Sequence, residues 1–305
     1  MKKVYEHMDR LPQGRTHGGI TPGCLVLEGG GWKGLYTVGA LDALMMEGIN
    51  LEAVVGISAG AMSGFGYLSG QIGMSVRLDL GFRCDRRYVG AKAYRMDGGI
   101  TNFTYLYNRI LNEVGFDWKS FRDSKQRFAA GAANMLTGEV EYFEKGRSNI
   151  FKAVRASAAL PLVTRPVMID GVPYLDGGCA EKIPYGWAKD QGYSKIVVIK
   201  TREWDYRRSG RENAIVKAYY YKKYPNFVRA MDEANGRFNR MTDELWESYQ
   251  AGEIFALAPS QPVDVTRFDS DLDKLADLYY LGLSDMREHM DELKTYLRDS
   301  VPTGV

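Results

Sequence analysis

Two glycine-punctuated turns constrain this chain more than any other feature. The first is "LEGGGWKG" (27–34), which follows the apolar run "CLVLE" (24–28). It leads into Leu35, Val38, Leu41, Leu44 and Met45 at helical spacing, with Gly48 where a glycine just past a helix end belongs. The second, "GISAG" (56–60), closes the next apolar run, "AVVGI" (53–57). Strand, turn, helix and strand make a βαβ unit. Its crossover is right-handed in nearly all proteins, and parallel strands place their C-terminal ends on one sheet edge, where open α/β sheets bind ligands. Gly31 and Ser58, 27 positions apart, are therefore expected to face one crevice.

Further strands are expected at 127–132, 140–143, 195–200 and 253–258, with a pair, "PVMI" and "VPYL", around Asp170-Gly171. Phe227, Met231, Ala234, Phe238, Met241, Leu245 and Tyr249 step by three or four, the core stripe of one long helix, and Leu272 to Leu297 reads as helix too. No repeat, low-complexity tract or linker divides the 305 residues. This predicts one α/β domain with an N-terminal arm (1–22), a catalytic core (23–200) and a mainly helical C-terminal elaboration of the same domain (201–305). A net charge of +2 supplies no global field for nucleic acid. The scattered Cys24, Cys84 and Cys179 suit buried thiols in a reducing compartment. With no leader-like apolar segment and no apolar run of spanning length, the expectation is a soluble cytoplasmic protein. Oligomeric state is not legible.

The glycine run has three chemical readings. Gly29, Gly31 and Gly34 satisfy GxGxxG, yet a dinucleotide site also wants an acid at the end of the second strand, and Glu52 lies at its start. A phosphate loop fails because Lys33 is followed by Gly34 rather than Ser or Thr. The third reading comes from "GISAG", a GxSxG nucleophile elbow in which the small residues Gly56 and Gly60 let strand turn sharply into helix and expose Ser58. The amides of Gly29, Gly30 and Gly31, with Gly30 and Gly31 best placed and Ala59 joining them, can then stabilise an oxyanion formed on a carbonyl that Ser58 attacks. The glycines after the elbow, in "AGAMSGFGYLSG", weaken a helix and call for close approach of another backbone.

A serine nucleophile needs a base. His7 and His17 lie in the arm and His289 in the last helix, none on an expected strand-end loop; His17-Gly18-Gly19 resembles a lipase oxyanion motif but precedes the first strand. Two Asp-Gly-Gly stretches compete, at Asp97 and at Asp176. Asp176 ends the strand-like "VPYL", from which sheet-edge groups project, with Gly177 and Gly178 supplying the turn, whereas Asp97 sits in an irregular charged stretch. A free aspartate is a weaker base than histidine by about 3.4 kcal/mol, part of which burial can recover.

Taken together, "GGGWKG", "GISAG" and "ASAALP" followed by "LDGG" resemble the patatin-like phospholipase family over roughly 24–180, in the family's order. Residues from about 250 to 285 are similar to a bacterial subgroup. The resemblance implies a three-layer α/β/α sandwich with a mostly parallel central sheet. It also implies a Ser58–Asp176 dyad without histidine, Lys33 at the basic position of the oxyanion loop, no metal or other cofactor, and hydrolysis of lipid carboxylic esters. Acyl transfer or thioester cleavage by the same dyad is the alternative within enzymes; a non-catalytic nucleotide-binding module is the alternative outside them. Residues 206–226 interleave Arg and Lys with tyrosines and have two readings, a solvated helix with some tyrosines turned inward or contact with an anionic membrane surface. "FDSDLDKL" (268–275) lacks the glycine and glutamate of a calcium loop and reads as acids in a helix's first turn.

Overall fold

A computed structural model describes residues 3–210, 214–266 and 268–298. In chain order its main elements are β1 (Ile20–Leu27), α1 (Gly34–Met46), β2 (Asn50–Ile57), α2 (Ala59–Tyr67), α3 (Met74–Phe82), β3 (Arg127–Asn134) and β4 (Val140–Glu144). They continue with α4 (Ile150–Ser157), β5 (Val167–Ile169), β6 (Val172–Asp176), α5 (Tyr185–Asp190), β7 (Ile196–Ile199), α6 (Ala214–Tyr221), α7 (Pro225–Gln250), β8 (Phe255–Leu257), α8 (Leu272–Glu288) and α9 (Met290–Arg298). Short helical turns join them.

The strands form one mixed sheet in the order β8-β7-β1-β2-β3-β6-β5, with β4 paired to β3. From β8 to β3 all neighbours are parallel, while β4, β6 and β5 enter antiparallel. Alternation along β1 sorts its side chains into two layers. Leu25 and Leu27 join the core with α1, α2, α3 and α8; Cys24 and Val26 face α5 and α7 on the other side. Both faces are covered, which is why the parallel strands read as continuous apolar runs rather than as alternation.

The N-terminal arm is more structured than its polar composition implies. Strand β1 already begins at Ile20, and Gly14–Arg15 pairs with Gln71–Ile72. Arg77 also donates to the carbonyls of Leu11 and Pro12, and Leu11 is buried in the core with Tyr5 and Met8 packed against it, so backbone bonds and a few apolar anchors hold the arm. The C-terminal helical stretch is two helices, α8 and α9, separated at His289. The acids of "FDSDLDKL" do serve a helix start: Asp271 caps α8 by accepting from the amides of Asp273 and Lys274.

Helix α1 is buried on nearly every side because α8 covers the face that the sheet leaves open. The two helices share a spacing, Tyr36-Gly39-Asp42 and Tyr279-Gly282-Asp285, and cross antiparallel with these residues matched reciprocally. Tyr36 donates to Asp285 at 2.9 Å and Tyr279 to Asp42 at 2.8 Å. At the crossing a Cβ on Gly39 would lie 2.0 Å from the Tyr279 carbonyl oxygen, and one on Gly282 2.0 Å from that of Tyr36. Backbone meets backbone there, and only glycine fits.

Candidate active site

Strand β2 ends at Ile57 and the chain reverses through Ser58 into α2. Ser58 has φ 55° and ψ −121°, a conformation L side chains rarely adopt. Such strain costs on the order of 1–3 kcal/mol and persists only where the surroundings hold it. Four contacts do so. The Ser58 amide donates to Ser157 Oγ at 2.8 Å, and Ser157 Oγ donates onward to the Gly131 carbonyl at 2.6 Å. On either side of the serine, a Cβ on Gly56 would lie 2.4 Å from the Gly60 carbonyl carbon, and one on Gly60 2.3 Å from the Leu27 oxygen. This close approach accounts for a glycine-rich helix start.

Asp176 arrives from the opposite chain direction. Ile57 pairs with Gly131 of β3, and the next residue of β3, Ala132, pairs with Asp176 of β6. Because β4 occupies the other edge of β3 at both residues, β6 takes up the edge that β2 vacates. The serine and the aspartate are thereby neighbours along one strand. Ser58 Oγ donates to Asp176 Oδ2 at 2.7 Å, both side chains being buried. The Gly178 amide holds Asp176 Oδ1 at 2.7 Å, and Lys182 Nζ donates to the Gly178 carbonyl at 2.8 Å. A Cβ on Gly177 would meet the Gly131 oxygen at 2.5 Å.

The glycine loop lies against the elbow: a Cβ on Gly29 would be 3.1 Å from Ser58 Cβ, and one on Gly34 2.8 Å from Ala59 Cβ. Gly31 has φ 60° and opens a short helical turn, Gly31–Lys33. One expectation is corrected. The Gly29 amide donates to the Lys182 carbonyl at 2.9 Å, so it anchors the loop and is not available to an oxyanion. The amides of Gly30, Gly31 and Ala59 engage no acceptor among the described residues. All three residues line, with Ser58, Asp176, Lys33 and Gly34, a cavity of about 590 Å³. That volume suits a small organic ligand. Leu35, Met62, Phe65, Leu78 and Leu111 give it apolar surface, while Lys33, Lys182, Arg202 and Arg208 bring positive charge and Glu28, Asp79 and Asp264 negative charge to the lining.

No histidine lines this cavity. His7 packs on the Tyr5 ring, His17 sits against Gly48, and His289 Nδ1 lies 2.9 Å from the Asp285 carbonyl between α8 and α9. Asp97 is absorbed by structure, accepting from the Phe103 amide, Thr104 Oγ1 and Arg155. Of the cysteines Cys24 is buried as expected, whereas Cys84 and Cys179 are half-buried, and Cys179 joins the cavity wall.

Sequence reasoning missed Ser157, although it lies in the quoted "ASAALP"; nothing in its spacing marks it as the partner of the elbow. It also missed a buried polar group behind the glycine loop. Glu28 Oε2 accepts from the Thr201 amide at 2.7 Å, and the preceding Lys200, just past the end of β7, is fully buried with its Nζ over the Trp204 and Phe238 rings. Burial pulls the Lys200 ammonium below its ordinary range, and the Glu28 carboxylate opposes this. Ser157→Ala is expected to leave the Ser58 amide and the Gly131 carbonyl unpaired in the interior, destabilising the fold by about 2 kcal/mol and lowering turnover through a misplaced elbow. Urea denaturation and assay of a soluble ester check this; wild-type values in both would separate Ser157 from the elbow.

Two carboxyls near this layer carry a pH signature. Burial pushes Asp42 up to about 7 against the opposing bonds from the Gly73 amide and Tyr279. It pushes Asp79, in the cavity wall, up to about 7 with Arg83 opposing. Both folded values exceed the unfolded one near 4, so the stability they contribute is complete below that value and lost as pH rises through about 7. The urea midpoint is expected to fall between pH 5 and pH 8, and Asp79→Asn to shrink that fall; an unchanged difference would remove Asp79 as a source.

The YjjU protein of Escherichia coli (strain K12) is 24% identical over 278 residues, covering 85% of this chain and 76% of its own. Lysophospholipase NTE1 of Candida albicans is 23% identical over 273 residues, and the match spans 85% of this chain but 19% of that much longer protein. Among solved structures, VipD from Legionella pneumophila aligns with a TM-score of 0.47 at 15% identity, over 92% of this chain and 70% of that one. Residues 224–298 match a domain of unknown function (DUF6363). Residues 25–188, from β1 through the glycine loop, the elbow and Asp176 into α5, match the model of the patatin-like phospholipase, and the chain belongs to that family.

Proposed function

We infer that this chain is a serine acyl hydrolase that cleaves lipid carboxylic esters. The family supports lipid ester hydrolysis in general, and the observation that carries the reading to named residues is the 2.7 Å bond from Ser58 Oγ to Asp176 Oδ2 inside a cavity with both apolar and charged walls. Ser58 Oγ attacks the ester carbonyl while Asp176 takes its proton. The tetrahedral oxyanion is held by the amides of Gly30 and Gly31 with that of Ala59; each such donor is worth roughly 3 kcal/mol in the transition state. Collapse expels the alcohol, which leaves with the proton from Asp176. Water, deprotonated by the same carboxylate, then attacks the acyl-serine and releases the fatty acid and Ser58. Asp176 fits this work because it is buried, and because the Gly178 amide fixes one oxygen while the other faces the nucleophile.

A fluorophosphonate probe is expected to label Ser58, read by peptide mass spectrometry, and lysophosphatidylcholine to be converted to free fatty acid. Labelling confined to another serine, or acyl transfer to added glycerol without fatty acid release, rejects the hydrolase reading.

A further inference from the structure

Helix α6 borders the cavity through one residue, Val216. Val216 and, from other segments, Leu160, Pro161 and Phe268 line the cavity, and Phe268 is at the same time 55% exposed, so it stands at the opening. Helix α6 is docked by its inner side: Tyr220 is buried and its hydroxyl accepts from the Leu162 amide at 3.2 Å. Its outer side is apolar. Ile215 is 69% and Tyr219 71% exposed, and with the exposed Ala218 they follow the i, i+3, i+4 spacing of one helix stripe. An amphipathic helix on a globular surface normally turns the polar stripe outward.

Charge accompanies the stripe. Residues 214–224 contain Lys217, Lys222 and Lys223 and no acid. Lys217 is paired with Asp232 of α7, whereas Lys222 and Lys223 are exposed in the turn that follows α6. Close by, Leu162 is held at φ 66° and remains 37% exposed. We propose that α6, with Leu162 and Phe268, is a docking face for an anionic lipid surface, laying Ile215 and Tyr219 at the acyl boundary and Lys222 and Lys223 among the phosphates. Apolar side chains on one helix face with lysines at its end are the composition that binds in the plane of a membrane interface. The placement at the cavity mouth would let a lipid pass from the interface to Ser58 without crossing water, a consequence that rests on the lipid-ester reading; the docking itself does not.

The test uses the full chain carrying Ser58→Ala, so that vesicles stay intact, in flotation with vesicles of phosphatidylcholine alone and of phosphatidylcholine mixed with phosphatidylglycerol. Binding is expected to the mixed vesicles and to weaken by about thirty-fold or more in the pair Lys222→Glu/Lys223→Glu. The pair Ile215→Ser/Tyr219→Ser is expected to lose binding to a similar degree, while with Ser58 restored both pairs keep wild-type turnover of a soluble ester. No flotation with mixed vesicles, or equal flotation of parent and variants, overturns the proposal. So does a dimer in light scattering that dissociates in the Ile215/Tyr219 pair, since the stripe then covers a second copy. Flotation as expected together with no ester turnover by the Ser58 chain leaves the docking face standing and removes the hydrolase reading instead.

Discussion

Ser58→Ala and Asp176→Asn are each expected to lower the turnover of a short p-nitrophenyl ester by on the order of 10⁴-fold or more, and the double variant to lose no more than the worse single one. The serine change removes the nucleophile and keeps the strained backbone, whose support comes from Ser157 and the glycines rather than from the hydroxyl. The asparagine is the sharper probe. It preserves size and an oxygen for the Gly178 amide, and it faces Ser58 with a group that cannot take a proton. Asp97→Asn and the triple replacement of His7, His17 and His289 serve as controls, since none of these residues touches the cavity. Turnover retained in either dyad variant, with circular dichroism unchanged, would remove that residue from the mechanism. Loss in the histidine variant with an intact fold would bring back a triad.

The largest effect on stability is expected at Gly39 and Gly282. Alanine at either position places a methyl 2.0 Å from a carbonyl oxygen of the facing helix. The backbones of α1 and α8 must then separate, and the separation pulls on the bonds from Tyr36 to Asp285 and from Tyr279 to Asp42. Overpacking with strained buried hydrogen bonds costs about 3 kcal/mol or more, a fall in Tm of roughly 5–10 °C. Gly236→Ala offers the contrast: that glycine is exposed within α7 and its Cβ would touch only the end of Arg240 at 3.4 Å, so helix propensity alone acts and stabilises by about 0.5–1 kcal/mol. Differential scanning calorimetry ranks the three. A Gly282→Ala variant as stable as wild type would mean the crossing relaxes cheaply. We propose that the C-terminal helices unfold with the sheet as one unit, which the same scans read as a single transition lowered in both Gly39 and Gly282 variants.

Asp176 illustrates how far the sequence alone could be followed. Its place after "VPYL" and before two glycines marked a strand end, and the lack of a usable histidine directed attention to a carboxylate. The bond that brings it to Ser58 spans 118 residues and depends on β6 taking over the edge of β3 one residue past the end of β2, a register that no local pattern encodes. Gly29 shows the opposite limit. Its residue type announces a turn, but whether its amide faces a substrate or the Lys182 carbonyl depends on where a segment more than 150 residues later comes to rest.

What the sequence determined by itself was local: the two turns, the helix between them, the serine set at an elbow, and strands whose unbroken apolar runs required cover on both faces. These follow from steric and hydrophobic rules acting over a few residues, and they survive into the fold nearly unchanged. Only the tertiary structure decided which groups support the serine, which amides remain for an oxyanion, and how α8 seals α1 through matched glycines, tyrosines and aspartates. Those contacts join residues 99, 118 and 249 positions apart. At such separations pairing is selected by how the whole core packs, and the chain carries no nearby signal for it.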